Sequence, residues 1–315
     1  MVEFGTSLGN LGFGLPASRR DEQAANIIAV AEYADRVGLG AIWLGDHLAL
    51  PRTPSTAYPY GDGKYMLPSE SLLFDPLATA GVLVGRTKRI KVGFGVLVAP
   101  YRHPLAVSKI LSTLDVLSGG RIVLGLGAGW LPEEFDATGA DFKQRGAMTD
   151  EWIKYVRATW TSDYPEFQGR FYRISGMSVM PRPVQRGGIP IGVGGVSKAA
   201  MRRAAILSDA WDALYSTPEN LPDRLAAFRR VCKDVGRDPA TVKIAVRGSL
   251  LLTKRPATGP YQSARENTMA SVRETIHRYA ALGASHITVT VDTTNRGPAI
   301  EALEQFAKEV MPEFK

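Results

Sequence analysis

Eight times along the chain, a short run rich in β-branched residues gives way to a longer amphipathic segment, and this alternation leaves very few folds open. The candidate strands are residues 3–8, 41–44, 90–97, 121–126, 189–193, 210–214, 242–251 and 285–290. Helical patterns follow at residues 21–37, 76–84, 104–116, 149–160, 198–207, 221–235, 264–281 and 298–310. Gly38 follows the first helix and Gly283 the seventh, where a left-handed residue closes the last turn. Eight strand–helix units in 315 residues are the arithmetic of a closed α/β barrel, the TIM (β/α)8 fold, as one domain over residues 1–315.

The competing architecture is a doubly wound sheet with a dinucleotide site. Its fingerprint would have to be "RIVLGLGAGW", residues 121–130, where a strand runs into alternating glycines. Position 130 is Trp, a bulky aromatic where close helix–strand packing demands a small residue. That reading fails. The bare glycines at the strand end still imply close approach to the backbone.

Three segments exceed what a barrel needs: insertions after strands 2, 4 and 7. Residues 45–73 carry Pro51, Pro54, Pro59, Pro68, Tyr58, Tyr60 and Tyr65; residues 161–188 include the hairpin-like "EFQGRFYRI" and then "PRPVQ"; residues 254–262 form a Pro/Gly break. Long insertions usually serve as lids, binding loops or interfaces. The first leaves a strand at its C-terminal end, the active face of a barrel, and is the lid candidate.

Composition narrows the partners. Hydrophobic residues make up 45% and charged residues 22%, the balance of a globular chain with a sizeable core. The net charge of +7 comes from scattered Lys and Arg without interleaved aromatics, which disfavours nucleic acid and fits a solvated basic surface or an anionic small ligand. No apolar run approaches a membrane span, and the start carries no leader pattern. The lone Cys232 cannot staple the fold and reads as core filler. A cytoplasmic location and a small-molecule partner are expected.

At the strand ends, Asp46 and His47 close strand two in "AIWLGDHLALP". No His or Cys cluster accompanies them, so no metal is expected. A histidine beside a carboxylate at the active rim suits proton transfer, with His47 as acid or base and Asp46 orienting it. Gly93 and Gly95 interrupt a Val-rich strand, implying a bulge or an interior with no room for side chains. Gly194-Gly195 precede a helix beginning near Ser197, whose free N–H groups suit a phosphate.

Together, "PYRHPLAVSKILSTLDVLSGGRIVLGLGAGW", the following "EEF", "PRPVQ" and "IPIGVGGVSKAAMRRAAILSDAW" closely resemble the bacterial luciferase-like oxidoreductase superfamily, best its coenzyme F420-dependent branch. The resemblance implies a TIM barrel that binds F420 or FMN at the C-terminal face, commonly as a homodimer. It implies a cofactor wall of Gly127, Ala128 and Gly129 with Trp130 facing the pocket. It also implies a bulged strand with a non-proline cis bond at Gly95–Val96, a phosphate turn at Gly194, Gly195 and Val196, and Asp46-His47 beside the ring. Sugar-phosphate dehydrogenases of this branch carry Glu where this chain has Trp130. The substrate expected instead is apolar or aromatic, lined by Trp130, Tyr58 and Tyr60. The expected function is hydride transfer between F420 and such a substrate. An FMN-dependent monooxygenase and a non-catalytic cofactor-binding protein are the alternatives. Lys198, Arg202 and Arg203 are expected to meet the polyglutamate tail of F420.

Overall fold

The computed structural model describes residues 2–8, 19–60, 63, 69, 71–252, 268–291 and 296–314. The elements run β1 (Glu3–Ser7), α1 (Arg20–Val37), β2 (Ala41–Leu44), α2 (Pro76–Arg86), β3 (Lys91–Val98), α3 (Pro104–Ser118), β4 (Ile122–Gly127), α4 (Pro132–Thr138) and α5 (Arg145–Thr161). They continue β5 (Phe167–Gln168), β6 (Arg173–Ile174), β7 (Ile191–Gly194), α6 (Lys198–Leu207), β8 (Ala210–Leu214), α7 (Leu221–Asp234), β9 (Lys243–Leu251), α8 (Met269–Ala281), β10 (His286–Thr290) and α9 (Arg296–Glu309).

Eight of these strands pair in parallel into a closed barrel, in the order β1-β10-β9-β8-β7-β4-β3-β2. The expected fold is present, with every expected strand in its place. The insertion after the fourth helix contains the expected hairpin, with Phe167 opposite Ile174. The insertion at 254–262 lies outside the described residues, as do Tyr65 and Pro68 of the first. Helix α4 is an addition that no periodicity announced: seven residues are too few to show an apolar stripe. Its start is nevertheless well made, with Pro132 in the first turn and Glu133 and Glu134 at the positive end of the helix.

Local chemistry sets the helix ends. Asp75 caps α2 by accepting the N–H groups of Leu77 and Ala78, both at 2.9 Å. His103 caps α3 ahead of Pro104 and accepts the Leu105 N–H at 3.2 Å, a structural use for this histidine. Gly38 and Gly283 both adopt the positive φ expected of them, 85° and 93°.

Several strands place glycines against large side chains of the barrel interior. A methyl group on Gly93 or on Gly5 would lie 2.5 Å from the Trp43 indole, and one on Gly95 would overlap the Arg247 guanidinium. The small residues are therefore the complement of two large ones, Trp43 on β2 and Arg247 on β9, which stack with the guanidinium carbon 3.8 Å from the indole ring. β3 also shifts register between Phe94 and Leu97 against β4, and the Gly95–Val96 peptide is cis, as the resemblance implied. Outside the barrel, Trp211 stacks on Phe228 at 4.5 Å, and Trp152, Phe228 and Phe306 are fully buried under the helices. Cys232 is buried in this layer, and burial pushes its thiol up, so it is inert filler as expected.

At the N-terminal face, Glu3 of β1 takes both hydrogen bonds of the Lys91 ammonium at 2.9 Å and lies 3.4 Å from His286 Nε2. Hydrogen bonding to His286, opposed by burial and helped by Lys91, holds the Glu3 carboxyl down at about 2. A carboxylate depressed in the folded state stabilises fully above its unfolded value, about 4.5, and that stability drains away as pH falls toward 2. The shift corresponds to about 3 kcal/mol, reduced to about 2 by partial exposure. Glu3→Gln should therefore lower stability at pH 7 by about 2 kcal/mol, and the difference from wild type should shrink across pH 4.5 to 2. Urea unfolding at a series of pH values reads both effects. A constant offset at every pH would remove the charge from the account.

Candidate active site

The C-terminal ends of the barrel strands open into a cavity of about 1120 Å³, slightly above the usual range for small-molecule sites. Every residue expected at the catalytic, cofactor or substrate positions borders it. Asp46 and His47 enter from the end of β2, Gly95 and Val96 from the break in β3, and Gly127, Ala128, Gly129 and Trp130 from the end of β4. Gly194, Gly195 and Val196 come from the end of β7, and Tyr58 and Tyr60 from the long insertion that follows β2. No group of three or more His, Cys, Asp or Glu among the described residues could hold a metal ion.

The orienting role expected of Asp46 is corrected by the geometry. Its carboxylate is fully buried and engaged by Arg102, with Nη1 to Oδ2 at 2.7 Å and Nη2 to Oδ1 at 3.0 Å, and it accepts the Val98 N–H at 2.9 Å. Burial pushes its carboxyl up, and the Arg102 charge and hydrogen bonds act against that rise. Asp46 is a brace that ties the end of β3 to the rim; Arg102 extends the brace to Asp75 at 2.7 Å.

The carboxylate that faces the His47 ring belongs to Glu134, 87 residues along the chain on α4. His47 Nδ1 stands 2.8 Å from Glu134 Oε2. The same oxygen accepts the Tyr101 hydroxyl at 2.8 Å, and Oε1 accepts the N–H groups of Leu48 at 2.6 Å and Ala49 at 3.3 Å. Burial would raise the Glu134 carboxyl, but the hydrogen bonds from His47, Tyr101 and Leu48 outweigh it and hold the group below its ordinary value. An ionised Glu134 at Nδ1 fixes the imidazole plane and favours a proton on that nitrogen. This is what a proton-transfer histidine needs from its partner. The motif "EEF" was visible in the sequence; its pairing with His47 is a tertiary fact. The neighbouring Glu133 accepts the Ser55 N–H at 2.6 Å, so α4 pins the first insertion at two points.

Above this pair stands an aromatic wall. Trp130 meets His47 edge-on with ring centres 6.3 Å apart and meets Tyr58 at 5.1 Å. Tyr58 and Tyr60 are 5.4 Å apart, and both contact Tyr215, whose hydroxyl is 2.9 Å from that of Tyr58. Sequence reading missed Tyr215. It follows β8, and its φ of 51° is the one positive value among described non-glycine residues. Burial, reinforced by the charge of Asp212, raises the Tyr60 hydroxyl, which stays protonated.

On the opposite wall, the side chain of Val96 occupies the space that side chains at 127 and 194 would fill. A methyl group on Gly127 would come within 2.6 Å of it, and one on Gly194 within 3.0 Å. Beyond Gly195, Ser197 caps α6 by accepting the Ala200 N–H at 3.2 Å, so the first turn of this helix faces the cavity end. Lys143 and Arg145 border the same end. Lys198 and Arg202 are exposed nearby, but Arg203 is not the free surface cation expected from sequence. It is buried, ion-paired with Asp150 at 2.5 Å and hydrogen-bonded to the Gly146 carbonyl at 2.9 Å.

Comparison with known proteins places this geometry in a family. The luciferase-like monooxygenase family profile matches residues 3–302. A Mycobacterium tuberculosis protein of unassigned activity is 34% identical over 211 residues, 67% of this chain and 72% of its own length. An F420-dependent glucose-6-phosphate dehydrogenase of Amycolatopsis mediterranei is 31% identical over 198 residues, 61% of this chain and 55% of its own length. Among solved structures, a monooxygenase of Streptomyces bottropensis superposes with a TM-score of 0.77 at 19% identity, covering 100% of both chains, a likeness of fold.

Removing the Glu134 carboxylate would take this acceptor from four donors, His47 Nδ1, the Tyr101 hydroxyl and the N–H groups of Leu48 and Ala49. Glu134→Ala should destabilise the protein by roughly 2–4 kcal/mol, and Glu134→Gln, which still accepts through its amide oxygen, by less than half as much. Chemical unfolding at pH 7 compares them. Equal losses for the two variants would show that side-chain volume, rather than hydrogen bonding, sets the cost.

Proposed function

This chain belongs to the luciferase-like monooxygenase family, and from that premise we propose that it is an oxidoreductase using coenzyme F420 to move a hydride to or from an apolar or aromatic substrate. The observation that carries the reading is the His47–Glu134 pair at the edge of a largely apolar, aromatic-walled cavity. The residues present suit a tricyclic cofactor with a phosphate. Val96 and the bare backbone at Gly127 leave a smooth wall for a planar ring, and the capped start of α6 beside Gly194-Gly195 offers backbone N–H groups to an anion.

When bound, the deazaflavin would supply or accept the hydride. The protein's share is orientation, dryness and one proton. Trp130, Tyr58 and Tyr60 would hold an apolar substrate and keep water out. His47 would hold or move the proton at Nε2, the nitrogen facing away from Glu134, with Glu134 and Tyr101 keeping the ring in place. Asp46 would act only through the brace it builds under that rim. The F420-dependent relative supports the cofactor choice, as do Lys143, Lys198 and Arg202 at the phosphate end, where an acidic tail would pass. FMN with dioxygen is the second reading, favoured by the structural likeness to a monooxygenase.

Homodimer formation is part of the proposal. Val82 on α2, with Ile110 and Leu117 on one face of α3, leaves an apolar outer stripe 50%, 39% and 70% exposed. Leu117→Asp should turn a dimer into a monomer in light-scattering measurements; a wild-type monomer would end this part of the reading.

Titrating the protein with F420 of short and long glutamate tails and with FMN tests the cofactor. F420 should bind tighter than FMN, with an advantage that grows with tail length and fades with salt. Preference for FMN would promote the monooxygenase reading. His47→Ala should keep cofactor affinity within a few-fold while turnover falls roughly 10²–10⁴-fold. Unchanged turnover would remove His47 from the chemistry.

A further inference from the structure

A buried charged pair at the floor of the cavity has no part in the proton chemistry above. Arg247 on β9 and Asp212 on β8 are neighbours across the sheet, with side chains 8% and 6% exposed and Nε 2.7 Å from Oδ2. The contact is an ion pair with poor hydrogen-bond direction. Nε and Nη1 of Arg247 and both Asp212 oxygens have no hydrogen-bond partner among the described residues. A guanidinium carries five N–H donors in a planar fork, and leaving them unpaired in the interior is costly. In folded proteins such a group nearly always meets an acceptor, from the chain, from water or from a ligand.

The surroundings say which. Arg247 borders the cavity, one of its faces is covered by the Trp43 indole at 3.8 Å, and Gly95 is bare where a side chain would displace the guanidinium. The site is thus a flat cation at the floor of a flat-walled pocket. A planar fork of donors suits a planar acceptor edge, such as the carbonyls and ring nitrogens of a conjugated imide. Its positive charge, only loosely matched by Asp212, favours such an edge most when that edge carries negative charge.

Resting on the cofactor reading above, we propose that Arg247 is the residue by which this cavity distinguishes the redox states of its ligand, holding the reduced form of a flavin-type ring, with its negative charge on the imide edge, more tightly than the oxidised form. Asp212 sets the strength of that preference by partly neutralising the guanidinium. Gly95 is then required twice, for the break in β3 and for the seat of Arg247.

The test measures dissociation constants of oxidised and chemically reduced F420 and FMN, anaerobically, for wild type, Arg247→Gln, Arg247→Lys and Asp212→Asn. Folding is checked by circular dichroism. Wild type should favour the reduced ring. Arg247→Gln should cut the reduced-to-oxidised affinity ratio by tenfold or more, and Arg247→Lys by less. Asp212→Asn, which frees the guanidinium charge, should raise the ratio. Equal weakening of both forms in Arg247→Gln would overturn the proposal and leave Arg247 a structural residue. If that variant does not fold, Asp212→Asn decides, and an unchanged or lowered ratio overturns the proposal. Failure of wild type to bind either cofactor in either state would instead overturn the cofactor reading itself.

Discussion

The stacking of Arg247 on Trp43 inside a barrel of glycines is the contact on which the upper half of this molecule depends. TIM barrels usually fill their interior with layers of branched aliphatic side chains. Here β1 and β3 turn glycines inward, and two long side chains from β2 and β9 lie across the space. The arrangement gives the cavity a rigid, chemically active floor without narrowing its mouth. It also gives the glycines of β3 a physical reason. Their cost in chain entropy is accepted because a methyl group at either position would collide with an indole or a guanidinium.

The rim above that floor follows a second principle: buried carboxylates organise backbone that would otherwise be loop. Asp46 holds the end of β3 through the Val98 N–H, Glu134 holds Leu48 and Ala49, and Glu133 holds Ser55. Each charge is matched by donors, and Val98, Tyr101 and Phe135 form a small apolar cluster beside them, separate from the main core. His47 inherits its position from this framework. The aromatic wall of Trp130, Tyr58, Tyr60 and Tyr215 stands above it.

The fold was legible because period-two and period-3.6 patterns survive along the whole chain, and helix-ending glycines mark the junctions. The cavity was legible because its glycines interrupt strands that should otherwise be branched. Three details were not, each for a geometric reason. Asp46 and His47 lie just past the end of β2, where no strand period applies, and their side chains meet different partners, Arg102 and Glu134. Arg203 follows Arg202 on a helix, and the turn of about 100° per residue carries it from the exposed face to the buried one. Glu134 and Arg247 reach the site across folded distance, which no local pattern encodes.

The pairing of β1 with β10, Glu3 opposite His286, closes the barrel between its first strand and its last. Until residue 290 is available, β1 has a partner on one side only and exposes a row of unsatisfied amides on the other. The barrel therefore keeps an open sheet edge until its last strand is made, and ring closure is its most non-local pairing. Short strands lessen that exposure: β1 has five residues and β2 four. The ionic contacts among Glu3, Lys91 and His286 draw together three strands, β1, β3 and β10, at the seam where the open edges finally meet.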